Sequence, residues 1–155
     1  MGVIYISLPL STLVMMRNST DGINWIFTLL ILVIAADTGA YYAGTYFGKH
    51  KLCPSISPGK TFEGLFGGII AVIIFGTIAK IFLLPLFPIE FFILYFFAIS
   101  IICPMGDLFE SILKRAGNIK ESGKILPGHG GILDRIDALL FAAPMSYFFK
   151  IYLFS

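Results

Sequence analysis

Residues 111–137, reading SILKRAGNIKESGKILPGHGGILDRID, gather Lys114, Arg115, Lys120, Lys124, His129 and Arg135 beside Glu121, Asp134 and Asp137 in a chain that is otherwise mostly apolar. Pro127-Gly128-His129-Gly130-Gly131 is a backbone suited to close approach. Its glycines take conformations closed to other residues and present bare N–H groups to an anion. Asp134 and Asp137 follow at once, hard oxygen ligands of the kind magnesium takes alongside phosphates. A basic helix end, a glycine turn and paired acids together describe a site for a metal-bound polyphosphate. A solvated loop between membrane helices would explain the charges, with the basic residues fixing topology, but not the glycine turn placed directly before two acids.

Three further places carry chemistry. Asp37, in AADTGAYYAG, falls inside an apolar run, where an ionisable group costs on the order of 2.5–3.5 kcal/mol on insertion scales. It is expected either to line a water-filled cavity or to hydrogen-bond a neighbouring helix, whose approach the small residues Ala36, Gly39 and Ala43 would allow. Ser57-Pro58-Gly59-Lys60-Thr61 contains Gly-Lys-Thr, but a nucleotide-binding P-loop needs glycine five positions before Gly59, and Pro54 stands there. Lys60, with the hydroxyls of Ser57 and Thr61, is a candidate to hold a phosphate or cytidine group; Thr61 also suits the N-cap of a following helix. Asp107 closes another apolar run. If that helix continues, Asp107, Glu110, Ser111 and Lys114 share one face at i, i+3, i+4 and i+7. Asp134 and Asp137 have capping-box spacing at the start of a last helix as well, which does not account for the His-Gly-Gly ahead of them.

The pattern Ser-x-x-Lys-Arg, four residues, Lys-acid, then Pro-x-His-Gly-Gly-x-x-Asp-Arg-x-Asp resembles the signature of the phosphatidate cytidylyltransferases, also called CDP-diacylglycerol synthases. Ser-Pro-x-Lys-Thr-x-Glu-Gly at residues 57–64 resembles a second block of the same family, and Asp37 has a counterpart there. Glu121 stands where the family usually has Asp. The resemblance implies transfer of the cytidylyl group of CTP to phosphatidic acid, giving CDP-diacylglycerol and pyrophosphate. It implies Mg2+ held by Asp107 and Asp134, with Asp137 as a further ligand or supporting acid. Lys114, Arg115 and His129 then act at the reacting phosphates, and Asp37, Ser57, Lys60, Thr61, Lys120, Lys124, Gly130, Gly131 and Arg135 contact substrate. Members usually carry further membrane helices ahead of the matched region, so this chain is expected to correspond to the C-terminal part. A CTP-dependent lipid or polyprenol kinase is the nearest alternative activity; a short member needing a partner is another. A channel using Asp37 and Asp107 would need neither the glycine turn nor the basic stretch.

The elements that must position these residues follow from hydropathy. With 57% hydrophobic and 13% charged residues, the chain is too apolar for an ordinary soluble domain. It is expected to be all-α, a polytopic transmembrane helical bundle treated as one domain, with a cytoplasmic charged loop between the last two helices. Apolar runs at 1–16, 25–43, 64–86, 89–105 and 139–154 predict five crossings, the first and last marginal for the ~20 residues a bilayer needs. The first run lacks a basic leader and a convincing cleavage site, so it is read as a helix and not as a signal peptide.

Lys49, Lys51 and Lys60 lie in one connection and Lys114, Arg115, Lys120, Lys124 and Arg135 in another, which places both connections in the cytoplasm, beside nucleotides. Lys80 and Lys150 are expected to snorkel to the interface, and Trp25 stands where an interfacial anchor would. Cys53 and Cys103, without metal-ligand spacing, are expected as free thiols. A net charge of +2 gives no reason to expect nucleic acid. The partners are then CTP, phosphatidic acid and the bilayer, with homo-oligomerisation left open, and the implied location is a bacterial inner membrane.

Overall fold

The computed structural model describes residues 2–54, 57–117 and 133–153, without the side chains of residues 2 and 133–135. Among the described residues the order is α1 (Gly2–Arg17), α2 (Gly22–Phe47), β1 (Lys51–Cys53), β2 (Ser57–Thr61), α3 (Phe62–Leu83), α4 (Ile89–Ala116) and α5 (Leu133–Leu153). The expected all-α polytopic bundle is the one found. α2, α3, α4 and residues Ile136–Leu153 of α5 are long and apolar enough to cross a membrane. α1 is not. Its 16 residues rise only about 24 Å against a hydrocarbon core of ~30 Å, so the five expected crossings become four spans and one shorter apolar helix.

Small residues decide which helices touch most closely. α2 and α3 form the largest helix contact, and along it Gly39 faces Gly67 and Ala71. A Cβ added to Gly67 would stand 2.2 Å from the Ala43 Cβ, and one added to Gly68 would stand 3.0 Å from the Ala36 carbonyl oxygen. Between apolar helices in lipid such close backbone approach is what holds a pair together. α4 and α5 are antiparallel. Tyr95 Oη shares a hydrogen bond of 2.7 Å with Ser146 Oγ toward one end, and Gly106 lies against Asp137 and Ala138 toward the other.

The core corrects two expectations. Trp25 is fully buried, stacked on Phe92 at 5.7 Å and edge-on to Phe87 and Tyr95, so it is a packing residue and not an interfacial anchor. Lys150 does not snorkel outward. It is buried, its ammonium bonded to the Thr20 carbonyl and 5.9 Å from the Trp25 ring centroid, where a carbonyl and an aromatic face replace water around the charge. Cys53 and Cys103 are free thiols, as expected.

The hairpin between α2 and α3 was not legible in advance. β1 and β2 pair antiparallel with Lys51 opposite Thr61 and Cys53 opposite Ser57. Two tethers fix it to the bundle. The Phe62 N–H donates to the His50 carbonyl at 3.0 Å, and the Glu63 carboxylate takes the His50 backbone N–H at 3.2 Å and its Nδ1 at 2.7 Å. Thr61 then starts α3 as expected. Its backbone is extended and its hydroxyl accepts the Gly64 N–H at 3.0 Å, satisfying a donor the first helical turn leaves open.

Candidate active site

Lys60 is the residue that joins the hairpin to the far side of the bundle. Strand β2 delivers its ammonium to the Asp107 carboxylate of α4, and to the Pro104 carbonyl oxygen at 3.3 Å. Beneath this bridge lies a cavity of about 330 Å³. Its walls carry Asp37 and Tyr41 from α2 and Leu65 from α3, and its roof carries Leu52, Ser57, Gly59 and Lys60 from the hairpin, with Asp107 at the edge. A lysine and carboxylates among mostly apolar walls make a pocket suited to a molecule with an anionic head and a greasy body.

The side chains on its rim are positioned by ordinary local rules. Asp37 is exposed and, among the described residues, accepts no hydrogen bond. The helix–helix contact beside it is made by glycine and alanine backbones instead. The cavity-wall expectation for Asp37 is therefore the one the geometry favours. Thr61 lines the cavity but is buried, with its hydroxyl oxygen accepting the helix-capping bond from Gly64. Ser57, half-buried on β2, lines the cavity as well.

α4 does run on past residue 105, so the expected stripe exists. Asp107 meets Lys60, and one turn on Glu110, 3% exposed, pairs with Lys114 at 2.9 Å. Arg115, in the last turn, is exposed. α5 begins at Leu133, well before residue 139, so Asp134, Arg135 and Asp137 belong to its first turns and not to a connecting loop. Asp137 is half-buried, with its Oδ1 accepting the Ala138 N–H at 2.8 Å. Its backbone oxygen touches Gly106, next to Asp107. The side chains of Asp134 and Arg135, and all of Lys120, Lys124, His129, Gly130 and Gly131, lie outside the described residues.

Several lining residues escaped the sequence, Tyr41, Leu52 and Leu65 among them, because they look like ordinary membrane and strand residues. Nothing in sequence spacing announces the Pro104 carbonyl as a lysine acceptor either.

Among the described residues no three His, Cys, Asp or Glu side chains converge as a closed metal site. Magnesium does not need one, since it takes one or two carboxylates and completes its shell with water and phosphate oxygens. Asp107 and Asp137 are oxygen donors of that kind, within electrostatic reach of each other and of Asp37. The donor set fits the ion.

The fold is that of an integral membrane protein with a largely apolar pocket, carrying Asp37, Lys60 and Asp107 among its lining residues, let into one end of its bundle. The profile of the Cytidylyltransferase family matches residues 1–153, and the chain belongs to that family. It is 42% identical over 146 residues to a phosphatidate cytidylyltransferase of Bacillus subtilis, a match covering 94% of this chain and 54% of that protein. A phosphatidate cytidylyltransferase of Haemophilus influenzae is 45% identical over 137 residues, 83% of this chain and 48% of the relative. One from Thermotoga maritima is 46% identical over 121 residues, covering 74% and 45%. The chain spans about half the length of the curated relatives it matches.

Proposed function

We propose that the chain carries the site at which the cytidylyl group of CTP passes to phosphatidic acid, giving CDP-diacylglycerol and pyrophosphate at the cytoplasmic face of a bacterial inner membrane. The observation that carries this is the Lys60–Asp107 bridge over a cavity walled by Asp37 and apolar side chains. Charge able to hold phosphate beside a space able to admit lipid supports this reading. The family to which the chain belongs and the names of its relatives support the same substrates.

The chemistry asks for charge cancellation more than for proton transfer. A phosphate monoester with a second pKa near ~6 is already largely a dianion at neutral pH, so its oxygen is a competent nucleophile without a strong base. Bringing it to the α-phosphorus of CTP opposes like charges. Each unit pair at ~4 Å costs about 4 kcal/mol at an effective dielectric of ~20.

Lys60 lines the cavity and Lys114 lies two turns along the same face of α4 from Asp107, where they can hold phosphate oxygens. Arg115, with Lys120, Lys124, His129 and Arg135, is assigned to the nucleotide and the departing pyrophosphate. Gly130 and Gly131 offer backbone N–H groups to the same anions, and Ser57 and Thr61 offer hydroxyls. Asp107 and Asp134 would hold Mg2+ with Asp137 in support, and the ion supplies Lewis-acid stabilisation of charge on the transferring group. The apolar wall keeps acyl chains in lipid while the head reaches water.

Purified chain supplied with phosphatidic acid, Mg2+ and CTP labelled at the α-phosphate should yield labelled CDP-lipid, and CTP labelled at the γ-phosphate should not label lipid. Label arriving only from the γ position would make the protein a kinase instead. Asp107→Asn should lower turnover at least about 100-fold, as loss of one electrostatic group at a reacting phosphate does, without altering membrane insertion.

A further inference from the structure

We infer that Lys60 is a tethered cation that competes with the divalent ion for Asp107 and turns to substrate phosphate when that ion binds. The inference rests on Asp107 being an ion ligand, as proposed above.

Lys60 and Asp107 are neighbours only because β2 is folded back over the bundle, 47 residues from its partner in sequence. Both side chains are partly withdrawn from water, at 22% and 28% exposure, so their attraction is screened less than that of a surface pair. A carboxylate that ends the apolar run of α4 needs a counter-charge, and an unpaired one is costly. Lys60 supplies it. The Pro104 carbonyl at 3.3 Å takes a second ammonium hydrogen, holding the head at the carboxylate.

That position is the one a hard cation would contest. An ammonium uses the carboxylate lone pairs that a metal uses, and it repels a second positive charge beside it. Ion binding at Asp107 therefore weakens the hold on Lys60. The lysine does not leave the site. Its strand is pinned by the Thr61 cap and the His50–Glu63 tether, while the flexible four-carbon stem lets the head swing within the cavity roof beside Ser57 and Gly59. There it meets phosphate. The consequence is positive coupling: an ion on Asp107 frees a cation for the anion, and by linkage the anion favours the ion.

Manganese binding read by electron paramagnetic resonance tests this without turnover, using wild-type chain, Lys60→Met and Asp107→Asn in nanodiscs of neutral lipid. Removing the competitor should tighten Mn2+ binding on the order of tenfold in Lys60→Met. Equal or weaker binding in a folded Lys60→Met chain overturns the competition. Asp107→Asn should lose the site. If it binds as the wild type does, the ion-ligand assignment of Asp107 fails, a result distinct from failure of the competition.

A second measurement needs no folded methionine variant. In wild-type chain labelled with 15Nζ-lysine, the Lys60 signal, assigned by its loss in Lys60→Arg, should move on adding Mg2+ while Lys49 and Lys51 stay. A Lys60 signal that does not respond to Mg2+ overturns the proposal as well.

Discussion

Asp37 is a carboxylate kept where an apolar residue would serve the helix better. The neighbouring Ala36 and Gly39 already make the contact with α3; the acid itself lines the cavity. Replacing it with leucine removes the cost of carrying an ionisable group into a bilayer. Asp37→Leu should therefore raise thermal stability in detergent by on the order of 1–3 kcal/mol while lowering cytidylyl transfer about 100-fold. A variant that is both less stable and equally active would mean that Asp37 holds the helices together and takes no part in the pocket. The same contrast explains why Asp37 could be singled out from sequence although its surroundings could not. A charge within an apolar run is visible to the eye, but which way it faces depends on the hairpin, α3 and α4, elements that come later in the chain.

At the scale of elements, the cavity exists because α2 and α3 lie almost backbone to backbone while the hairpin bridges to α4. Gly67→Ala puts a methyl 2.2 Å from the Ala43 Cβ and 2.8 Å from the Gly39 carbonyl oxygen, so the helices must part. The expected loss is about 1–3 kcal/mol, as for other overpacked contacts, measured by thermal unfolding in detergent. Gly59→Ala is the control. An added Cβ there meets nothing within 4 Å, and stability should stay within about 0.5 kcal/mol. Equal effects at the two glycines would refute the close-packed seam.

Such elements were legible where the backbone period is fixed. The stripe of Asp107, Glu110 and Lys114 follows from 3.6 residues per turn, and the Thr61 cap follows from residue type and position. The hairpin was not legible, because Lys51–Cys53 and Ser57–Thr61 are short, carry Pro58 and Gly59, and lack the alternation by which strands announce themselves. What makes them strands is tertiary, namely the His50–Glu63 tether and the reach of Lys60 to Asp107. The error at Trp25 has the same origin, since an aromatic near a helix start reads as an anchor until Phe92 and Tyr95 are seen to enclose it.

Across the whole molecule the helices alternate in direction, and the alternation sorts charge. Lys49, Lys51 and Lys60 of the hairpin connection share one end with Lys114 and Arg115, because Lys60 reaches α4 directly. Arg17 lies at the other end, where Lys150 bonds the neighbouring Thr20 carbonyl. Tyr5 packs against Phe109 and Phe141 at the hairpin end, so α1 runs alongside the spans although it falls short of their length. An excess of lysine and arginine at the hairpin end is what the proposed cytoplasmic orientation requires, since the proposed CTP would have to reach Lys60 from that side.

Thiol labelling separates the alternatives. Cys103 is fully buried and Cys53 is half-buried on β1, so a membrane-impermeant maleimide should modify Cys53 in inside-out vesicles and leave it untouched in intact spheroplasts. Arg17→Cys in a Cys53→Ser background should give the opposite result, because the 26 residues of α2, about 39 Å of helix, separate the two positions across a core of ~30 Å. Labelling of both from one side would mean that α2 does not cross. Labelling of Cys53 from outside alone would turn the bundle over, leave the basic end away from its nucleotide, and remove the physical basis for cytidylyl transfer at this site.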